Sequence, residues 1–343
     1  MRFTYFIILN ILFFLNCTQN KDKQDSALDQ LIKLSAISLA SSSSKCQINS
    51  TNNSAYFESG KVPTGGTSTV IRTSATSGTV SIDIYYPSTG SSFPILVLFQ
   101  GGNVHSSFYS NYAARLASDG YVVYVGNRCD IFIAQYFLYP PASLGNKVLT
   151  LATAQNQDTQ SPLYGKINTS KIGFLGHSLG GVVGIYAINN ICEFPFCDSG
   201  YSFLSSVKAG VFYGSGLGGS FNKSKFYTNS TTGKGIPTGY IQGLNDGANK
   251  PATGKVSYDN AIATKVYFTL EGANHYGITD SNNPFGANAE SNSSALAQSD
   301  AISKIASLSL IFLNAYIKES SSDLSKITST NTGITGATVE SQQ

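Results

Sequence analysis

The stretch KIGFLGHSLGGVVGIYA, residues 171–187, carries the architecture of the chain. An apolar run, KIGFLG at 171–176, leads straight into Gly-His-Ser-Leu-Gly and then into a run compatible with a helix. A serine at such a strand-to-helix turn is forced into a strained backbone conformation, so the residues two places to either side must lack bulk. Gly176 and Gly180 meet that requirement around Ser178. The turn lifts the Ser178 hydroxyl above the end of a sheet. It also leaves the Leu179 amide at a helix N-terminus, aimed at any negative charge that develops beside the serine.

Working outward, strands and helical runs alternate. Strands are expected over 69–73, 79–87, 93–101, 121–126, 171–176, 207–214, 237–243 and 265–272, with helices over 107–118, 143–158, 179–191 and 296–318. The inner strands are continuous apolar runs, as in a parallel sheet covered on both faces, and the first two alternate, as at an antiparallel edge. The reading is an α/β fold with a mostly parallel, doubly wound sheet of about eight strands. Chemistry in such a sheet gathers at the carboxyl ends of its strands, which is where Ser178 stands.

A serine hydroxyl is a weak nucleophile without a base, and around this turn the acid and then the histidine follow the serine in chain order. The chain has three histidines. His177 adjoins the serine with its side chain turned away, and His105 precedes it, beyond the strand at 93–101. His275, in LEGANHYGIT after the last expected strand, has the right place for the base. Asp246, in IQGLNDGANKP after the preceding strand, is the expected acid, with Asp259, Asp280 and Glu271 as rivals. The loop FQGGN at 99–103 lies beside the serine turn; Gly102 is the expected second oxyanion donor, with Leu179 the first and Asn103 the alternative to Gly102. The segment CDIFIAQYFLYPPASLG at 129–145 follows a strand end, so Phe132, Tyr136, Phe137 and Tyr139 are candidate pocket residues, with plain packing as the competing role. The long polar loop at 213–235 is read as a rim over the same cleft.

Charged residues make up 12% of the 343 residues and the net charge is +3, a balance without the basic footprint of a nucleic-acid-binding protein. Hydrophobic residues make up 41%, enough for one large core. Residues 1–16 carry one Arg and an apolar run too short to span a bilayer, the pattern of a signal peptide. Cys17 directly after it resembles a bacterial lipid-attachment site, so a membrane-anchored exported lipoprotein is expected, with plain secretion as the alternative. Export favours disulfides among the four other cysteines: Cys192 with Cys197 across a short loop, leaving Cys46 with Cys129. Residues 17–60 read as a tether with a short helix near 28–39, residues 61–318 as the folded domain, and residues 319–343 as a disordered polar tail.

With the segments at 94–127, 161–181, 241–251 and 270–279 in this order, the chain resembles the α/β-hydrolase superfamily, in the branch of dienelactone hydrolases, chlorophyllases and cutinase-like polyester hydrolases. The resemblance spans roughly residues 65–318. It implies Ser178 as nucleophile, Asp246 as acid, His275 as base, and the amides of Gly102 and Leu179 as oxyanion hole, in a serine ester hydrolase that needs no cofactor and no metal. The implied partner is a small or lipid-like ester. A lipase, a platelet-activating-factor-type acetylhydrolase, or a non-catalytic surface binding protein on the same scaffold are the alternatives. The chain departs from the pattern at Gln100-Gly101, where many members have His-Gly, and at Gly102, where many polyester-cleaving members have an aromatic residue. It also has no Trp.

Overall fold

In a strand, successive side chains face opposite sides of the sheet. In β3 (Phe93–Phe99), Leu96 and Leu98 enter one hydrophobic core while Ile95, Val97 and Phe99 enter a second. β4 (Val122–Asn127) divides its apolar residues in the same way, Val123 and Val125 against Val122 and Tyr124. A strand buried on both faces has no polar side, which is why these two read as unbroken apolar runs.

The computed structural model describes Cys46, Asn53 and residues 55–132, 135–217, 235–262 and 264–343. The signal peptide, Cys17, the helix near 28–39 and residues 218–234 of the expected rim lie outside the described residues. One sheet holds nine strands: β1 (Val70–Ser77), β2 (Val80–Pro87), β4, β3, β7 (Ile167–His177), β8 (Val207–Tyr213), β9 (Thr238–Gly243), β10 (Lys265–Leu270) and β11 (Ala337–Gln342), in that spatial order. The six strands from β4 to β10 run parallel. β1 and β2 at one edge and β11 at the other are antiparallel to their neighbours. A separate hairpin, β5 (Cys129–Phe132) with β6 (Gln135–Leu138), follows β4.

Helices cover both faces. α1 (Ser110–Ala117) and α5 (Gln298–Tyr316) fill the core that holds Leu96, and α2 (Leu144–Gln157) and α3 (Ser178–Ile188) fill the core that holds Ile95. α4 (Pro251–Asn260) lies between β9 and β10 in sequence, with Pro at its start, where a missing N–H leaves no helical bond unmade. The architecture is the expected mostly parallel, doubly wound α/β sheet, with a ninth strand.

That ninth strand corrects the expected polar tail. Within 319–343, α6 (Ser321–Thr328) is capped by Ser320, whose hydroxyl accepts from Asp323 N, and β11 pairs along the whole of β10. Each element buries one apolar residue, Ile327 and Val339, so backbone pairing and a cap hold the segment without an apolar pattern. The end of the expected tether is also packed. Phe57 is buried with its amide on Ser110 Oγ at 2.8 Å, and Asn53 donates to Ser107 O at 2.7 Å. Both expected disulfides are present, Cys46–Cys129 and Cys192–Cys197, and two disulfides point to an exported protein.

Candidate active site

Strand register brings the loops together. Phe99 of β3 pairs with Gly176 of β7, so the loop at 100–103 starts beside the Ser178 turn. Asp246 stands three residues beyond β9, and His275 five residues beyond β10.

Ser178 has φ +52°, the left-handed region a serine seldom occupies. The helix holds it there by close packing on its inner side. A Cβ on Gly180 would lie 2.2 Å from the carbonyl oxygens of Phe99 and Gln100, and one on Gly176 would lie 2.5 Å from Gly181 Cα. Backbone-to-backbone contact at these two positions admits no side chain, which gives the glycines around the serine a steric cause.

Ser178 Oγ lies 2.9 Å from His275 Nε2, and His275 Nδ1 lies 2.9 Å from Asp246 Oδ2. Asp246 is 1% exposed and His275 4%. Asp246 Oδ1 accepts from Asn249 N at 2.6 Å and Oδ2 from Gln242 Nε2 at 3.3 Å, so the carboxylate meets donors on both oxygens. An acceptor-only Asp246 fixes the tautomer: Nδ1 of His275 carries the proton, and Nε2 is free to accept from the serine hydroxyl. Gly214, at φ +55°, passes close enough that a Cβ there would lie 3.0 Å from Asp246 Oδ2.

Ser178 and His275 border a cleft of ≈ 530 Å³, with Asp246 buried behind His275. Gly102, Phe137, Leu179 and Val182 line one part, and Asn249 and Lys250 another. In the loop after β3, Asn103 is stapled to the hairpin: its amide donates to Leu138 O at 2.9 Å, and its Oδ1 accepts from Leu138 N at 3.1 Å. That engagement removes the Asn103 amide as an oxyanion donor. Among the described residues the Gly102 amide has no protein acceptor, and the Leu179 amide belongs to the first turn of α3, where N–H groups have no helical partner.

The candidate pocket residues separate. Phe137 lines the cleft, with its ring tip 3.2 Å from where a Gly102 Cβ would stand. Tyr139 is instead a core residue, edge-on to Phe196 and under the Arg128 guanidinium. Tyr136 of β6 is half-buried and does not border the cleft, and the side chain of Phe132 lies outside the described residues. The rival acids are engaged elsewhere: Asp259 pairs with Lys255, and Asp280 accepts from the amides of Ser110 and Asn111 at the start of α1. His105 caps the 3-10 turn at 106–109 through Ser107 N, and burial pulls its imidazole below the ordinary histidine range. Among the described residues no group of three or more His, Cys, Asp or Glu side chains converges to hold a metal ion.

Two neighbours of the site leave no trace in the sequence. Tyr109 Oη accepts from Gly101 N at 2.8 Å and reaches His177 Nδ1 at 2.9 Å, and His177 Nε2 reaches His275 O at 2.9 Å. Glu290 Oε2 accepts from His275 N at 2.9 Å. These partners are up to 98 positions apart in the chain, and no local pattern announces them.

A family model described as PET hydrolase-like (PETase) matches residues 40–193. The sheet and its helices form an α/β-hydrolase fold, which this match supports. The matched region includes the loop after β3, the serine turn and α3, and it suggests an ester-hydrolysing enzyme. It ends before Asp246 and His275. No curated protein matches the chain.

Proposed function

We propose that the protein is a serine ester hydrolase of the carboxylesterase type, with Ser178 as nucleophile, His275 as general base and then general acid, and Asp246 as the group that orients it. The observation that carries this reading is the unbroken array from Asp246 Oδ2 through His275 to Ser178 Oγ, with both links at 2.9 Å. Ser178 Oγ attacks the ester carbonyl as Nε2 of His275 takes its proton, and Asp246 stabilises the imidazolium that forms. The amides of Leu179 and Gly102 receive the oxyanion, a contribution of about 10² to 10³ in rate per donor in sites of this kind. The imidazolium then protonates the leaving alcohol as the C–O bond breaks. Water, deprotonated by His275, releases the acid from the acyl-enzyme.

The cleft supports a small carboxylic ester with an apolar acyl group. Phe137, Leu179 and Val182 give it an apolar wall beside the serine, and Asn249 and Lys250 give the opposite part polar character. Gly102 in place of an aromatic residue and the absence of Trp make an aromatic polyester the less suitable substrate. We infer further that the chain is exported and carries its lipid anchor on Cys17; the mass of the mature N-terminal peptide tests that.

A fluorophosphonate probe, which reacts with activated serines, is expected to label the wild type and not Ser178→Ala. The same substitution is expected to abolish hydrolysis of p-nitrophenyl butyrate while the circular dichroism spectrum stays unchanged. Equal labelling of the two proteins would overturn the assignment of Ser178. Absence of labelling in both would favour a binding protein on this scaffold. A series of p-nitrophenyl esters of increasing acyl length separates the carboxylesterase reading, with its optimum at short chains, from a lipase.

A further inference from the structure

The segment from Asn288 to Ala295 runs as a strap across the carboxyl ends of β9 and β10. It bonds to the loop after β9, where Asn245 Nδ2 donates to Ser293 O at 3.2 Å. It also bonds to the loop after β10, where Asn274 Nδ2 donates to Asn292 O at 2.9 Å, the Tyr276 hydroxyl donates to Asn288 O, and Ala295 N donates to Gly272 O at 2.8 Å. Every one of these contacts uses a backbone group of the strap.

Two side chains of the strap also reach these loops: Ser294, whose hydroxyl donates to Gly272 O at 3.1 Å, and Glu290. Its carboxylate spans the two loops, with Oε1 accepting from Gly247 N at 3.2 Å and Oε2 from His275 N at 2.9 Å. Oε1 also accepts from Asn292 N at 2.9 Å, which folds the strap back on its own side chain. Gly247 directly follows the acid Asp246, and its lack of a side chain is what admits the carboxylate: a Cβ there would lie 2.5 Å from Glu290 Oε1. One rigid carboxylate thus holds the amide next to the acid and the amide of the base itself. Hydrogen bonds to a charged acceptor are about twice as strong as neutral ones, and they fix geometry as well as energy.

We propose that Glu290 is a positioning residue that sets the separation of Asp246 and His275 by holding the amides of Gly247 and His275 on a single carboxylate. The proposal rests on the reading of Ser178, His275 and Asp246 as the reacting array. Near-attack geometry in such arrays tolerates little error, and a displacement of about 1 Å can lower turnover as much as 10²-fold. The remaining bonds of the strap do not involve the Glu290 side chain, so the strap and the fold survive its removal.

The test compares wild type with Glu290→Ala, Glu290→Gln and the control Ser293→Ala, an exposed strap residue that bonds through its backbone carbonyl. Two quantities are read: ester hydrolysis, and the low-field proton NMR signal of the hydrogen shared by His275 Nδ1 and Asp246. Glu290→Ala is expected to lose on the order of tenfold or more in kcat with KM within a factor of about two, the split that marks loss of transition-state alignment rather than of substrate binding. Its low-field proton is expected to broaden or vanish. Glu290→Gln keeps one carbonyl acceptor and is expected to recover part of both, while Ser293→Ala matches the wild type. A Glu290→Ala protein with wild-type kcat and an unchanged low-field proton would overturn the proposal. Should the wild type hydrolyse no ester, the esterase reading falls, and the low-field proton, which needs no substrate, still decides the role of Glu290.

Discussion

Tyr109 and His177 share a buried hydrogen bond of 2.9 Å that joins the loop after β3 to the loop carrying His275. Tyr109 Oη accepts from Gly101 N, so its own proton goes to Nδ1 of His177, and Nε2–H of His177 then donates to the carbonyl of His275. The histidine beside Ser178 thus holds the backbone of His275, whose ring bonds the serine hydroxyl. Tyr109→Phe keeps the ring and deletes the link, stranding the Gly101 amide and His177 Nδ1 in the interior. Each stranded group costs about 1 to 3 kcal/mol. Thermal denaturation is expected to show a lower melting temperature, and ester kinetics a lower kcat with little change in KM. An unchanged melting temperature would mean that water or a local shift satisfies both groups.

His177 also makes stability depend on pH. Burial holds its imidazole well below the ordinary histidine range, with the charge of a protonated His275 adding to the shift. Rings of Tyr109, Tyr213, Tyr276 and His275 surround it, and among the described residues no carboxylate bonds to it. The native state therefore refuses a proton that the unfolded chain accepts near pH 6.5, so the contribution of this group is full above that pH and falls on acidification. The slope reaches about 1.4 kcal/mol per pH unit. Asp280 acts in the opposite sense: burial raises its carboxyl from 3.8 to about 6, so its contribution is full in acid and is lost as pH rises through about 6. The comparison with His177→Gln isolates the histidine. In urea denaturation the wild type is expected to be the more stable protein near pH 7, by a margin that shrinks toward about pH 5. Parallel stability profiles for the two proteins would count against the buried neutral imidazole.

Asp246→Asn tests the tautomer of His275. Asn249 N donates to Oδ1 of Asp246, so the amide oxygen of the variant stays on that side and its NH₂ group faces His275 Nδ1. A donor there drives the imidazole proton to Nε2, the atom that must accept from Ser178. Turnover is expected to fall by about 10⁴ while the fold persists. Steady-state kinetics with p-nitrophenyl butyrate read the loss, and a decrease of less than about tenfold would show that His275 is oriented by other groups.

The parts of the molecule legible in the sequence are those whose signal is local. β3, β4 and the second half of β7 are buried on both faces and read as apolar runs, and the serine turn is written in five consecutive residues. Asp246 and His275 were legible through chain order alone, each following an apolar strand. β11 was not, because ATVESQ buries only Val339 and is held by backbone pairing, which leaves no trace in side-chain pattern. α4 leaves no signal for a similar reason: PATGKVSYDN buries Gly254, Ser257 and Tyr258 and has no apolar stripe. Tyr109 and Glu290 act through hydrogen bonds to residues far along the chain, and a single tyrosine or glutamate in a loop carries no mark of its partner. Tyr139 looked like Phe137 in sequence, and only the turn of the β5–β6 hairpin sends one to the cleft and the other to the core.

The two disulfides are expected to differ in what they stabilise. Cys46–Cys129 closes a separation of 83 residues, and Cys192–Cys197 one of 5. On the chain-entropy account the first stabilises by roughly 4.5 kcal/mol and the second by roughly 2, since the long loop restricts the unfolded chain more. Cys129 also opens the hairpin that carries Phe137 to the cleft and Leu138 to Asn103, so the long-range bridge ties the N-terminal segment to the wall of the site. Cys46→Ser with Cys129→Ser is therefore expected to lower the melting temperature more than Cys192→Ser with Cys197→Ser. It is also expected to raise KM for esters, and more than the second pair does, whose loop meets that segment at Phe196 against Tyr139, a core residue outside the cleft. Differential scanning calorimetry and ester kinetics on the two double variants check both statements. Equal melting temperatures would show that the N-terminal segment holds the domain through Phe57 and Asn53 without its covalent link.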